Sequence, residues 1–106
     1  MFNKFSRIFL VSLAVFFASF SAFAKDTIKI ALIEPMSGPL AAIGLDLIEG
    51  MEFFAERINN TGGVLGGRHI EIIAFDNQMV AEKTIQQLRK VIDQDIRYVS
   101  QGVGSN

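Results

Sequence analysis

The stretch Thr27–Gly44, TIKIALIEPMSGPLAAIG, constrains the fold of this chain more than any other. It begins with a short apolar run, Thr27–Ile33, which predicts a β-strand because strands covered on both faces are apolar almost throughout. A turn with two prolines and a glycine follows, and then apolar residues at helical spacing. This order predicts the first unit of a parallel sheet, in which ligands bind beyond the carboxyl ends of the strands. We therefore expect function at the turn Glu34–Leu40.

The same strand-to-helix step is repeated along the chain. A helix is predicted over Leu40–Asn60, a strand over His69–Phe75, a second helix from Met79 or Val80 to Asp93, and a strand over Ile96–Val99. Strands that alternate with helices imply a parallel sheet with right-handed crossovers. The predicted fold class is therefore α/β, in the order β-α-β-α-β, with a three-layer, Rossmann-like arrangement.

Both predicted helices are amphipathic, so each has an apolar face that we expect to be buried. Gly44, near the start of helix one, either allows close approach to the sheet or a ligand or marks a loose first turn, and the sequence leaves both open. The predicted buried face of helix one is Leu47, Ile48, Met51, Phe54, Ala55 and Ile58. That of helix two is Ala81, Ile85, Leu88 and Ile92, with Val91 beside it.

Paired glycines lie in the connection Gly62–Arg68. A phosphate-binding Walker loop needs a strand before its glycines, a helix after them, and a lysine followed by serine or threonine. Here a helix precedes the glycines and a strand follows, so we interpret them as turn residues. His69, the only histidine, lies at the opposite end of its strand from the expected site, and we interpret it as a surface or structural residue.

Residues 1–24 have the organisation of a secretory signal peptide. Lys4 and Arg7 precede an apolar run over Ile8–Phe20, and an A-x-A pattern predicts cleavage after Ala24. The alternative is an uncleaved anchor, but the apolar run is short for a membrane span, which needs about 20 residues. We therefore expect a periplasmic protein with a signal peptide over 1–24 and one domain over 25–106. The chain has no cysteine, which excludes disulfides and a lipid-modified N-terminus.

Residues 25–106 carry eight basic and eleven acidic side chains, a net formal charge of −3. There is no basic cluster, which argues against a nucleic-acid partner. No G-x-G-x-x-G follows the first strand and no G-x-S-x-G elbow is present. The sequence therefore predicts no cofactor. It also predicts no metal site, because a lone histidine with no cysteine or second histidine nearby is a poor set of metal ligands.

Polar residues follow each of the three strands, in the segments Glu34–Pro39, Asp76–Gln78 and Ser100–Asn106. In a parallel sheet the three segments converge on one edge. Their hydroxyl, carboxylate and amide groups, with backbone N–H groups at turns, suit a small polar or zwitterionic solute. Glu34 and Asp76 would be the acid/base pair of an enzyme, but no histidine lies at this edge. We therefore predict no catalytic residue.

Four segments together resemble a known family: the run ALIEPMSGPLAAIG, the helix end NNTGG, the strand HIEIIAFD and the segment IRYVSQGVGS. They are similar to the N-terminal portion of the branched-chain amino-acid (leucine/isoleucine/valine) substrate-binding proteins, which are type I periplasmic binding proteins of ABC importers. The resemblance covers residues 25–106. It implies half of one lobe of a two-lobed protein that closes on an amino acid or related solute and docks on a membrane permease.

Members of this family are several times longer than 106 residues. The resemblance therefore implies an N-terminal fragment. We expect residues 25–106 alone to be unstable or molten, because domains of this size have small cores. We also expect them to bind amino acids weakly or not at all, because good pockets bury most of their ligand.

The resemblance also implies ligand-binding positions. The loop after the third strand would hold the α-carboxylate and α-ammonium groups of the ligand, and the M-S-G-P turn lies beside it. An isoleucine stands where the family often has an aromatic residue that flanks the ligand, which widens the expected ligands to amides, urea and aromatic acids. The five candidate residues are Ser37, Ile43, Gly102, Gly104 and Ser105.

Two other functions stay open at this point. A ligand-binding module of an extracellular sensor or receptor would have the same fold, with a transmembrane segment of about 20 apolar residues elsewhere. An exported hydrolase with a flavodoxin-like core would need a nucleophile that the sequence does not show.

Overall fold

A computed structural model of the chain describes residues 26–104. The predicted signal peptide, 1–24, and Ser105 lie outside the described residues. The five elements are β1 (Ile28–Glu34), α1 (Ala41–Asn60), β2 (Ile70–Asp76), α2 (Ala81–Asp93) and β3 (Tyr98–Ser100). The predicted order of elements is confirmed. β1 and β2 each begin and end one residue later than predicted, so that each ends on its acidic residue.

The three strands form one parallel sheet in the order β2-β1-β3. β1 pairs with β2 from Ile28 opposite Ile70 to Glu34 opposite Asp76. On its other side, β1 pairs with β3 from Ile30 opposite Tyr98 to Leu32 opposite Ser100. Because the chain moves outward to β2 and then back across β1 to β3, two right-handed crossovers place α1 and α2 on opposite faces. The α/β fold class is confirmed.

The core is built on β1, whose residues Ala31, Leu32 and Ile33 are buried. Alternate residues of a strand point to opposite faces. On one face Ala31 and Ile33 pack with Val91 of α2 and with Ile96. Leu32 points to the other face, which α1 covers. A central strand that is apolar on both faces is thus explained by a helix on each side.

The predicted buried face of α2 is wrong. Val91 is fully buried, whereas Ile85 is 53% exposed and Ile92 is 66% exposed. The helix is rotated so that the residue beside the predicted stripe faces β1. In α1, Ile48 and Ala55 are buried as predicted, but Phe54 is 58% exposed. Each helix therefore has a second apolar stripe that does not contact the three-stranded sheet.

The glycine-rich connection between α1 and β2 is a compact turn. The Gly63 N–H donates to the carbonyl oxygen of Ile58 at 2.9 Å and so closes the end of α1. Gly63 has a φ of +73°, and a Cβ at this position would overlap the carbonyl oxygen of Arg68. Val64 and Arg68 form an antiparallel bridge across the turn. The interpretation of these glycines as turn residues is confirmed.

Candidate functional site at the carboxyl edge of the sheet

The carboxyl ends of β1, β2 and β3 lie side by side, as the parallel sheet requires. Glu34 and Asp76 are opposite each other in the register and are the last residues of their strands. The three loops that follow are residues 35–40, 77–80 and 101–104. The side chains of this edge bind mainly to the backbone of neighbouring loops, and these contacts determine the shape of the candidate site.

Asp76 holds the turn after β1. Its Oδ1 accepts hydrogen bonds from the N–H of Met36 at 2.8 Å and of Gln78 at 2.9 Å, and its Oδ2 accepts one from the Ser37 hydroxyl at 2.7 Å. Burial would raise the pKa of Asp76, but the hydrogen bonds from Ser37 and from these backbone N–H groups together hold the pKa below its ordinary value. The carboxylate is therefore ionised at neutral pH and fixed in orientation.

Glu34 holds the loop after β3 and is itself buried. Its Oε1 accepts a hydrogen bond from the Gly102 N–H, and its Oε2 accepts one from the Val103 N–H at 3.1 Å. Its backbone carbonyl oxygen accepts a further hydrogen bond from the Asn77 N–H at 3.2 Å. Since a buried carboxylate is costly unless its oxygens are hydrogen-bonded, these contacts explain how the chain tolerates Glu34 at the end of its central strand.

Gly102 packs closely against this carboxylate. A Cβ at Gly102 would lie 2.9 Å from Cδ1 of Leu47 and 3.3 Å from Oε1 of Glu34. A side chain at this position would require Leu47 and the Glu34 carboxylate to shift. Because Leu47 belongs to α1, the same contact shows that α1 lies on the face to which the Glu34 side chain points.

Gly44 places the start of α1 against the end of β1. A Cβ at Gly44 would overlap the carbonyl oxygen of Pro35. Of the two interpretations of this glycine, close approach is therefore correct. The neighbouring Ile43 is 52% exposed in the first turn of α1, at the same edge of the sheet.

The structure places the predicted site residues as follows. The Ser37 hydroxyl donates to Asp76, which leaves its oxygen able to accept a hydrogen bond. The Gly102 N–H donates to Oε1 of Glu34 and is therefore engaged within the protein. Gly104 has a φ of +93° and lies next to Met79, while Ser105 lies outside the described residues. Ser37, Gly102 and Gly104 thus lie at one edge of the sheet, where they contact Asp76, Glu34 and Met79 respectively.

Sequence reasoning missed the turn after β2. Gln78 and Met79 both have positive φ, +50° and +61°, which is unusual for residues other than glycine. The Met79 N–H donates to Oδ1 of Asn77 at 3.0 Å, and Asn77 is buried with its Nδ2 bound to the Thr84 hydroxyl at 3.0 Å. The available indication was the pair Asp76-Asn77, since both residue types bond to the backbone two residues later.

Two open grooves lie away from this edge. One, of about 360 Å³, lies at the amino ends of β1 and β3, and its lining includes Lys29, Arg68 and Arg97. The other, of about 460 Å³, lies between α1 and β2 and includes the exposed His69. Over residues 26–104, no group of three histidine or acidic side chains is placed to hold a metal ion. Neither described helix is long and apolar enough to cross a membrane.

A family model described as "Periplasmic binding protein" matches residues 27–106. The chain is 34% identical over 97 residues to the leucine-, isoleucine-, valine-, threonine- and alanine-binding protein of Pseudomonas aeruginosa. This match covers 92% of the chain and 26% of that protein. It is also 36% identical over 78 residues to the Leu/Ile/Val-binding protein of Citrobacter freundii. That match covers 74% of the chain and 21% of the relative. The chain thus spans about a quarter or less of the length of these relatives.

Solved structures show the same arrangement of elements. The branched-chain amino acid transporter substrate-binding protein of Streptococcus pneumoniae, in complex with isoleucine, matches with a TM-score of 0.59 at 30% identity, over 66% of this chain and 20% of that one. The fatty acid ABC transporter substrate-binding protein of Thermomonospora curvata matches with a TM-score of 0.59 at 22% identity, over 74% of this chain and 19% of that one. The second likeness shows the fold alone.

Proposed function

Because the chain belongs to the periplasmic binding protein family, we propose that the carboxyl edge of its sheet is one wall of a site that binds a small amino acid, most favourably a branched-chain one. The observation that carries this proposal is that Glu34 and Asp76 hold two loops in fixed positions at one edge. Fixed loops suit ligand binding, because less conformational entropy is then lost on association.

The two ends of a zwitterion suit different parts of this edge. The Ser37 oxygen, beside the ionised Asp76, suits an ammonium group. The loop after β3 suits a carboxylate, through Gly104 and Ser105, because the two preceding N–H groups are already bound to Glu34. Ile43, half exposed at the same edge, suits the aliphatic side chain of a branched-chain amino acid.

We assign the whole protein to solute capture for an ABC importer in the periplasm, with a membrane permease as its partner. The family to which the chain belongs and the names of its relatives support this assignment. The predicted signal peptide agrees with it. In the longer relatives a second lobe would supply the opposing wall.

We infer no catalytic role for this edge. Glu34 and Asp76 are its two carboxylates at the strand ends, and each accepts hydrogen bonds from two backbone N–H groups. These contacts give both carboxylates a role in holding the loops, which accounts for their presence at the strand ends without a role in proton transfer. The lowered pKa of Asp76 also opposes a role as a proton donor at neutral pH.

Saturation-transfer NMR of the chain tests the ligand class. The ligands are L-leucine, leucinol, which lacks the carboxylate, and 4-methylpentanoate, which lacks the ammonium group. The sequence left weak binding and no binding open for residues 25–106, and the fixed loops of this edge favour weak binding. We expect leucine to bind with a dissociation constant on the order of 1 mM, because one wall buries only part of a ligand. Each analogue should bind at least about tenfold more weakly, since hydrogen bonds to charged groups contribute about 1.5–3 kcal/mol. Equal binding of all three compounds, or no binding of leucine, contradicts the proposal.

A further inference from the structure

The turn after β2 has a strained backbone whose cause is local. Gln78 and Met79 are consecutive residues with positive φ, a conformation that persists only when surrounding contacts hold it. The contacts are hydrogen bonds from the Gln78 N–H to Asp76 and from the Met79 N–H to Asn77. The side chain of Lys83 also donates to Oε1 of Gln78. The backbone of Gln78 and Met79 is thus held by hydrogen bonds to Asp76, the last residue of β2, and to Asn77, which follows it.

That side chain reaches the loop after β3. A Cβ placed on Gly104 would lie 2.5 Å from Cε and 2.8 Å from Sδ of Met79. The thioether therefore occupies the space that a side chain at residue 104 would need. Met79 and Gly104 are 25 positions apart in the sequence and follow different strands, so their contact joins two loops across the end of β1.

Gly104, which Met79 contacts, directly follows the two loop residues that the Glu34 carboxylate holds. Glu34 accepts the N–H groups of Gly102 and Val103. The next residue, Gly104, has a φ of +93° and glycine's wide conformational freedom. The neighbour of Gly104 in the other loop is Met79.

We propose that Met79 is a positioning residue for the loop after β3: its thioether packs on Gly104 and restricts the backbone of the loop there. It acts through Gly104 and does not itself bind the ligand. The consequence for affinity depends on the proposed amino-acid site, whereas the consequence for loop order does not.

The test compares Met79→Ala, Met79→Gly and Met79→Leu with the matched control Met51→Ala. Met51 lies on α1 and is 37% exposed, close to the 38% of Met79. The first readout is hydrogen exchange of the Val103 amide, which reports local opening of the loop. We expect Met79→Ala to speed this exchange about tenfold, and Met79→Leu to restore it to within about threefold, because leucine is close to methionine in volume.

Met79→Gly separates the side chain from the backbone. Glycine accepts the positive φ without strain, so a loop that depends only on the turn geometry would stay protected in this variant. We expect Met79→Gly to open the loop as much as Met79→Ala does. Protection unchanged in both variants, or loosened equally by Met51→Ala, overturns the proposal.

A double-mutant cycle tests the contact itself. Gly104→Ala places a methyl group against the thioether. Removing the thioether removes that clash, but it leaves the strain of a positive φ at a residue other than glycine. Residues in contact give effects that do not add, so Gly104→Ala should speed Val103 exchange less in the Met79→Ala background than in the wild type. Additive effects would overturn the proposal.

Leucine affinity, measured in the same variants, separates this proposal from the proposed function. If Met79→Ala opens the loop but the wild type binds no amino acid, the amino-acid site fails and the positioning role stands. If leucine binds the wild type and Met79→Ala equally and the loop stays protected, the positioning role fails and the amino-acid site stands.

Discussion

Glu34 and Asp76 end neighbouring strands, and each carboxylate binds the backbone of a loop that belongs to a different strand. Asp76 of β2 holds Met36 and Ser37 after β1, and Glu34 of β1 holds Gly102 and Val103 after β3. Each residue therefore links two loops that are distant in sequence. Acidic residues at strand ends need no catalytic role to be explained, because their hydrogen bonds shape the site.

Glu34→Gln tests the importance of the first link. Glutamine offers one oxygen and one NH2 group, so one of the two N–H groups of the loop would face a donor in place of an acceptor. We expect a loss of about 1–3 kcal/mol in the free energy of unfolding, the cost of leaving a buried polar group unpaired, together with faster exchange of the Val103 amide. Denaturant unfolding measures the first effect. The control is Glu49→Gln, an exposed position on α1, and an equal loss there would contradict the account.

Asp76 makes the free energy of unfolding depend on pH. Its pKa is lowered from the ordinary value of 3.8 in the folded state, so the ionised form favours folding. The stabilisation is fully present above the unfolded-state pKa and is lost as the pH falls through the lower folded-state pKa.

We therefore expect the difference in unfolding free energy between wild type and Asp76→Asn to be constant from about pH 7 to 5 and to shrink below about pH 4. Urea unfolding at a series of pH values measures it. Asp46→Asn removes the same charge from an exposed position on α1 and should have a smaller effect at pH 7. A wild-type advantage that grows toward low pH would contradict the assignment.

At the scale of the elements, α1 is placed by one glycine at its start. Gly44 lies against the carbonyl of Pro35, whereas Gly50, two turns later, has open space around it. The two glycines of the same helix therefore have different roles, although the helical pattern alone treats both as weak points.

Alanine substitutions at these glycines should have opposite effects. Gly44→Ala forces α1 away from the end of β1, and we expect it to destabilise the fold by about 1–3 kcal/mol, as overpacking does. Gly50→Ala should stabilise by about 0.5–1 kcal/mol, because alanine favours the helix and reduces the freedom of the unfolded chain. Thermal unfolding of the two variants measures both effects. A neutral Gly44→Ala would show that the close approach to Pro35 is unimportant.

Local sequence patterns predicted the helices and strands well, because apolar runs and helical spacing depend only on residues close together in the sequence. They failed on the rotation of α2, where Val91 rather than Ile92 faces β1. Adjacent apolar residues leave that choice to the packing against the sheet. They also missed the contacts of Glu34 with Gly102, 68 positions away, and of Met79 with Gly104, which exist only once the strands are ordered.

At the scale of the whole molecule, the described residues form a three-layer unit with a small core and several exposed apolar side chains. Phe54 on α1, Ile92 on α2 and Tyr98 on β3 are each more than half exposed. The relatives are about four to five times longer than the matched region. The loops of the carboxyl edge are nevertheless held in place by hydrogen bonds within the described residues.

The central claim, that the carboxyl edge of the sheet binds an amino acid, is tested most directly by an amide NMR titration of the chain with L-leucine. The groove at the amino ends of β1 and β3 is the control site in the same molecule, since it is also open and contains charged side chains. We predict saturable shifts of the Ser37 and Gly104 amides, with the Lys29 and Arg97 amides unchanged. Shifts confined to Lys29 and Arg97, or no shifts up to the solubility limit of leucine, would contradict the account.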